Sequence, residues 1–167
     1  MNMTDNILPE DIVALAARVI AENAAAGRRI ALAESCTGGL VSAALTELPG
    51  SSAVFDCGFV TYSNEAKREI LGVQEDIIDT FGAVSAATVW AMAQGALERS
   101  TADVAIAISG IAGPEGGTEF KPVGTVAFAC SVRGNEKVNA EERQLDGSSR
   151  AKVRHQAALI ALELLLP

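Results

Sequence analysis

Residues 29–39 read RIALAESCTGG, and residues 103–114 read DVAIAISGIAGP. Each opens as a short apolar run and ends in small hydroxyl residues and glycines. A brief continuous apolar run bounded by turn signals reads as a buried strand. The first run leads into a helix predicted over 37–48, entered through Gly38 and Gly39 and stopped by Pro49-Gly50. Two strands that end in the same manner set the frame for the rest of the chain.

Upstream, Ile12, Val13, Leu15, Ala16, Val19 and Ile20 fall at helical spacing, with Pro9 in the first turn and Gly27 just after the end. Downstream, a strand is predicted over 54–62. Ser63 or Asn64 can cap the helix that carries Ala66, Ile70 and Leu71. A short helix is predicted over 75–81, and Ser85 caps a longer one through Glu98. A Gly-rich loop covers 110–122, and strands over 123–132 and 138–145 are joined at Gly134-Asn135. Gly147 leads into a final helix with Val153, Ala157, Ile160 and Leu164 on one stripe. Helices interleave with strands until a hairpin closes the sheet, which predicts one α/β domain over 1–167, a three-layer α/β/α sandwich with a mixed sheet.

The 167 residues are 49% apolar and 20% charged, as in an ordinary folded domain. Lys and Arg number 13 against 21 Asp and Glu, and 13 − 21 leaves a net charge of −8. That balance argues against nucleic-acid and anionic-membrane partners, which need basic surfaces. A single small anion needs only a few local donors, so a phosphorylated ligand stays open. Residues 1–9 are short and polar rather than a leader, and the apolar stretch 157–166 is too short to span a bilayer. Cys36, Cys57 and Cys130 are odd in number and lack CxxC spacing, so neither a disulfide framework nor a metal site is expected. A cytoplasmic setting follows as the expectation.

Ligands in open α/β sheets collect beyond the carboxyl ends of strands, where glycines let backbone amides approach them. Both Gly-rich segments lie there. Known templates do not fit: neither loop carries a Walker Lys, G-x-G-x-x-G is absent, and Ser35 sits outside a G-x-S-x-G elbow. His155 is the single histidine and falls inside the last helix, which leaves a Ser-His-Asp triad poorly supported. A serine activated by lysine survives. Lys67 is the candidate base, and its pKa would have to fall by about 3 units from ~10.4 to serve near neutrality. Burial, a helix N-terminus and Arg68 would push it that way. Ser35 reads as either nucleophile or plain cap. Ser63, four residues before Lys67, and Cys36, beside a helix start that can lower a thiol pKa, are rival nucleophiles.

Several strings together resemble the CinA C-terminal domain family. They are ESCTGG at 34–39, PGSS at 49–52, VTYSNEAK at 60–67, GAVS at 82–85, SGIAGPEGG at 109–117 and KPVGTV at 121–126. The likeness runs from about residue 8 to 165 in the family's order and spacing. It implies a nicotinamide-mononucleotide deamidase that releases ammonia and nicotinate mononucleotide in pyridine nucleotide recycling. By the family motif Ser35 is implied as nucleophile, Lys67 as general base and Tyr62 as a hydrogen-bonding member of the site. Cys36, Thr37, Gly38, Gly39, Ser109, Gly110 and Gly113 are implied around the substrate, with backbone amides from either loop as oxyanion donors. No cofactor is implied. A homodimer is, and so is the stand-alone form of a domain that many relatives carry behind another.

One segment departs from the pattern. The family shows an aromatic-x-Gly-Asp-Arg run before a Val-Arg pair; here residues 145–154 read LDGSSRAKVR, one residue longer and without the aromatic and the acid. Arg150 takes the family arginine's place as holder of the substrate phosphate, with Arg154 as the alternative. The other reading of the whole chain is a non-catalytic nucleotide-binding module. That would have no need of Ser35, Tyr62 and Lys67 together.

Overall fold

The computed structural model describes residues 6–137 and 139–167. The chain runs α1 (Glu10–Ala25), β1 (Ile30–Glu34), α2 (Leu40–Thr46), β2 (Phe55–Val60), α3 (Asn64–Leu71), α4 (Glu75–Phe81), α5 (Ala86–Glu98), β3 (Val104–Gly110), β4 (Thr125–Val132), β5 (Ala140–Gln144) and α6 (Arg150–Leu164). The five strands form one sheet in the order β2-β1-β3-β4-β5. β1 pairs in parallel with β2 and with β3, while β4 and β5 add antiparallel. Helices cover both faces, so the three-layer sandwich with a mixed sheet is the observed fold.

The two faces differ in a way that the alternation of residue size dictates. Ile30 and Leu32 of β1, Val104, Ile106 and Ile108 of β3, and Val126 and Phe128 of β4 all point toward α1, α2 and α6. Their strand neighbours Ala31, Ala33, Ala105, Ala107, Ala127 and Ala129 form the other face, beneath α3, α4 and α5. Successive strand residues point to opposite sides, so this Ile-Ala alternation sorts bulk to one layer and smoothness to the other. The alanine face lets α5 settle close to the sheet. Gly95 continues that closeness: a Cβ there would stand 2.0 Å from the Leu71 carbonyl oxygen of α3.

Serines start three helices. Ser63, Ser85 and Ser149 each accept an amide hydrogen bond from the residue three positions on, capping α3, α5 and α6. Several predicted boundaries shift, each for a local reason. The helix expected from residue 37 starts at Leu40, because Gly38 and Gly39 take φ of +59° and +94°, where only glycine is at ease. The strand expected from 54 starts at Phe55, since the Val54 amide closes a 3-10 turn by donating to Ser51. Pro122 and Gly124 bend the chain, so β4 begins at Thr125 rather than 123. Conversely β3 extends into Gly110, which pairs with Val126 instead of opening the loop. The strand predicted over 138–145 is Ala140–Gln144, and Val138 lies outside the described residues, as do residues 1–5.

Candidate active site

β1 lies between β2 and β3, so the chain leaves β1 toward one neighbour and returns to its other side. Such a switch in direction opens a crevice at the carboxyl ends of the strands. Ser35 follows β1 directly, and its amide is pinned to the Ile108 carbonyl of β3 at 2.9 Å. Behind it, the wholly buried carboxylate of Glu34 accepts from the amides of Gly39 (3.0 Å), Val41 (3.2 Å) and Ser42 (2.8 Å), and from the Ser42 hydroxyl (2.7 Å). A carboxylate at a helix start satisfies donors that the helix itself cannot. Glu34 therefore ties the strand end to the start of α2 and fixes the turn that carries Ser35. Gly58 on β2 makes room for this knot, because a Cβ there would meet Ser42 Oγ at 2.4 Å. The motif reading contained Glu34 without a role; its one signal was an acid closing an otherwise apolar strand.

Lys67 comes from the first turn of α3 and is 1% exposed, among the largest fully buried side chains. Its Nζ lies 3.1 Å from Ser35 Oγ, 2.9 Å from the Thr61 carbonyl and 3.3 Å from the Tyr62 carbonyl. Burial pushes its pKa below the ordinary lysine value, since desolvation disfavours the cation. Among the described residues no carboxylate pairs with it. A neutral amine has two N–H groups and one lone pair. The two backbone carbonyls can take the former, leaving the lone pair for the Ser35 hydroxyl proton. Arg68, expected to help lower the pKa, instead pairs with Glu75. Ser63 is occupied as the cap of α3, with its Oγ accepting from Ala66.

Cys36 departs from the expectation of a lowered pKa. Its thiol is buried, and burial pushes its pKa up to about 11. The neutral thiol is a poor nucleophile, and a Cβ on Gly110 would lie 3.0 Å from its Sγ.

Ser35, Cys36, Tyr62, Lys67, Ser109, Gly110 and Arg150 converge on one cavity of about 190 Å³. Thr37, Gly38, Gly39 and Gly113 do not line it. Asn64, Ala83, Val84 and Ala112 complete the wall. Sequence reasoning named none of these four as a site residue, although each lies inside a quoted string: Asn64 in 60–67, Ala83 and Val84 in 82–85, and Ala112 in 109–117. Arg150 spans the mouth, donating to the Gly113 carbonyl at 2.8 Å and to the Tyr62 hydroxyl at 3.0 Å. That leaves three of its five guanidinium N–H groups for a ligand. Arg154, one turn on, faces the loop after Ser35 and donates to the carbonyls of Cys36 and Thr37. Lys121 ties the 111–122 loop to the opposite wall through the carbonyls of Phe81 and Val84.

A larger depression of about 500 Å³ opens between α5 and the β4–β5 connection. It has no serine or lysine in its wall, and Arg133 there is engaged by the carbonyls of Leu97, Ser100 and Ala102. His155 lies apart from both, with its Nε2 2.9 Å from Asp11 at the surface. Among the described residues no His, Cys, Asp and Glu cluster could hold a metal ion, and no helix is long and apolar enough to cross a membrane.

The sequence pattern of the CinA C-terminal domain matches residues 12–167. The chain belongs to the CinA C-terminal domain family. Among its relatives, the nicotinamide-nucleotide amidohydrolase PncC of Enterobacter agglomerans is 50% identical over 142 residues, covering 85% of each chain. The PncC of Escherichia coli is 50% identical over 141 residues, with 84% of each covered. A CinA-like protein of Mycobacterium marinum is 49% identical over 164 residues, which are 96% of this chain and 37% of that one. The chain thus spans about a third of the length of several curated relatives, with shares of 35%, 33% and 37%. The crystal structure of the competence/damage inducible protein CihA from Agrobacterium tumefaciens superposes with a TM-score of 0.91 at 48% identity, covering 95% of this chain and 96% of that one.

Proposed function

We propose that this chain hydrolyses the carboxamide of a nicotinamide nucleotide, with nicotinamide mononucleotide as the preferred substrate, to the carboxylate and ammonia. The reading is carried by one observation: the buried Lys67 amine, with no paired carboxylate among the described residues, stands 3.1 Å from Ser35 Oγ. The PncC relatives at 50% identity support the substrate class.

Ser35 Oγ attacks the carboxamide carbon as its proton passes to the lone pair of Lys67. The Oγ–C bond forms, and the carbonyl electrons move onto oxygen. Collapse of that intermediate breaks the C–N bond, and Lys67 returns the proton to the leaving nitrogen, which departs as ammonia. Water then attacks the Ser35 ester, again with Lys67 taking a proton; the C–Oγ bond breaks, Lys67 returns that proton to Ser35 Oγ, and the acid leaves and ionises to the carboxylate. The cavity of about 190 Å³ fits an aromatic amide ring. Ribose and phosphate extend to the mouth, where the free N–H groups of Arg150 and the loop amides over 110–117 meet them. Tyr62 contributes its carbonyl to Lys67 and its hydroxyl to Arg150. A local cation at the mouth outweighs the net charge of −8, because screening confines distant surface charges to about a Debye length. Free cysteines and the substrate class support a cytoplasmic place in pyridine nucleotide recycling, and the family resemblance supports a homodimer.

Ammonia release is the test, measured with nicotinamide mononucleotide and with free nicotinamide. The nucleotide should be strongly preferred. Ser35→Ala should lose turnover while still binding the nucleotide by calorimetry, and Cys36→Ala should keep kcat within about tenfold of wild type. A dead Cys36→Ala alongside an active Ser35→Ala would overturn the assignment.

A further inference from the structure

We propose that Arg154 is a positioning residue: it holds the turn behind Ser35 so that the amide of Cys36 serves as an oxyanion donor. The inference rests on the acyl-transfer reading above. That chemistry places negative charge on the carboxamide oxygen, and preorganised backbone N–H groups are the usual means of stabilising it.

The donors can be found by following each amide of the loop to its acceptor. Ser35 donates to Ile108, Gly38 to Ser35, and Leu40 to Thr37. Gly39, Val41 and Ser42 all donate to the Glu34 carboxylate. Among residues 35–42 only the amides of Cys36 and Thr37 need further account. Cys36 and Thr37 are left without an acceptor among the described residues. They are the two central residues of the turn that the Gly38-to-Ser35 hydrogen bond closes, and they directly follow the nucleophile.

Arg154 acts on the Cys36 amide through this turn. Its Nε donates to the Cys36 carbonyl at 3.2 Å, and its Nη2 donates to the Thr37 carbonyl at 3.1 Å. In a planar trans peptide, the carbonyl of one residue and the amide of the next point in opposite directions. Holding the Thr37 carbonyl toward Arg154 therefore turns the Gly38 N–H away from it, where it donates to the Ser35 carbonyl. The Gly38-to-Ser35 bond does the same for the Cys36 N–H, because the Ser35 carbonyl and the Cys36 amide share a plane. Arg150 and Arg154 lie one turn apart on α6, so a single helix sends one arginine to the pocket mouth and the other behind the nucleophile. Cys36 reaches the cavity wall whereas Thr37 and Arg154 do not, which leaves Cys36 as the donor of the two and separates Arg154 from a phosphate ligand. The competing donor is Ala112 across the pocket, whose amide also has no acceptor among the described residues.

The experiment compares wild type, Arg154→Ala and Arg154→Lys on nicotinamide mononucleotide and on its thioamide analogue, with melting curves for all three. Sulfur accepts hydrogen bonds more weakly than oxygen, so the ratio of amide to thioamide rates reports the oxyanion donors. Arg154→Ala should lower kcat on the amide by about 10²–10³ with KM within about threefold, and the amide-to-thioamide ratio should shrink by about tenfold or more. Arg154→Lys, with a single nitrogen for two carbonyls, should fall between, and it carries the test if the alanine variant does not fold. An unchanged ratio would overturn the proposal and move the donors to the Ala112 side. A raised KM with intact kcat would also overturn it, making Arg154 a phosphate ligand. Ser35→Ala keeps the two readings apart. An active Ser35→Ala sinks the acyl-transfer reading and this inference with it, whereas an inactive one with an unchanged ratio in the Arg154 variants sinks this inference alone.

Discussion

Lys67 Nζ and Ser35 Oγ stand 3.1 Å apart although 32 residues separate them in the chain. β1 delivers the serine and the first turn of α3 delivers the lysine, and both are nearly closed to solvent. The contact can transfer a proton from serine only while the amine is neutral. Burial favours that state, since desolvation disfavours the ammonium.

The pH dependence of turnover should carry this signature. Protonated Lys67 cannot accept the Ser35 proton, so kcat/KM should fall as pH drops through the lysine's depressed pKa and level off above it. Lys67→Met keeps the length and removes the base; it should cost about 10²–10⁴ in kcat and abolish that acid limb. Steady-state ammonia release across pH checks both, and an intact acid limb in Lys67→Met would assign it elsewhere.

The same shift makes a stability prediction. Between the folded pKa of Lys67 and the ordinary value near 10.5, the unfolded chain binds a proton that the folded chain does not. Stability contributed by this group therefore rises with pH across that window, and below it the burial of lysine is a standing cost. The difference in unfolding free energy between Lys67→Met and wild type should be largest at low pH and narrow as pH climbs toward 10.5. Urea titrations at several pH values would show it. A constant difference would mean that the lysine titrates alike in both states.

Glu34 should matter to folding more than its place beside the nucleophile suggests. Gln at this position would turn an NH₂ group toward amides that now donate to a carboxylate, leaving buried donors unpaired. A loss of about 3 kcal/mol is expected for Glu34→Gln by denaturant titration. Ser42→Ala, which removes one of the four bonds, should cost only about 1 kcal/mol.

Arg150 should act on substrate capture. A charge-assisted bond of about 1.5–3 kcal/mol to the phosphate corresponds to a rise in KM of roughly 10–100-fold for Arg150→Ala. The smaller effect of Tyr62→Phe, which removes only the hydroxyl that Arg150 holds, would separate orientation of the guanidinium from its charge. Equal KM values for Arg150→Ala and wild type would exclude a role at the phosphate.

Much of this was legible in the residues, and what was not has identifiable causes. The strands over 29–34 and 103–109 were readable because unbroken apolar runs need cover on both sides. That one face would be alanine and the other isoleucine was also printed there, as a size alternation with no polar signal to draw notice. Helix starts were less readable: the glycines at 38 and 39 suggested entry to α2 but did not show that they hold it off until Leu40. Cys36 was misjudged because a thiol beside a helix start looks activated until its burial is known. Arg154 looked like a spare phosphate ligand, since nothing local reveals that it faces two carbonyls more than a hundred residues upstream.

By itself the sequence determined the class of fold and pointed to the groups proposed to react. Apolar periodicity and turn chemistry are local, and six short strings in family order name Ser35 and Lys67. Only the tertiary structure decided what those groups are. Desolvation is a property of everything packed around an atom, so the lowered pKa of Lys67 and the raised pKa of Cys36 arise when α3 and the sheet close over them. The two arginines of α6 look alike in the chain for the same reason. Their divergence, Arg150 to the mouth and Arg154 to the backbone behind Ser35, comes from where the helix lies against the ends of β1 and β3.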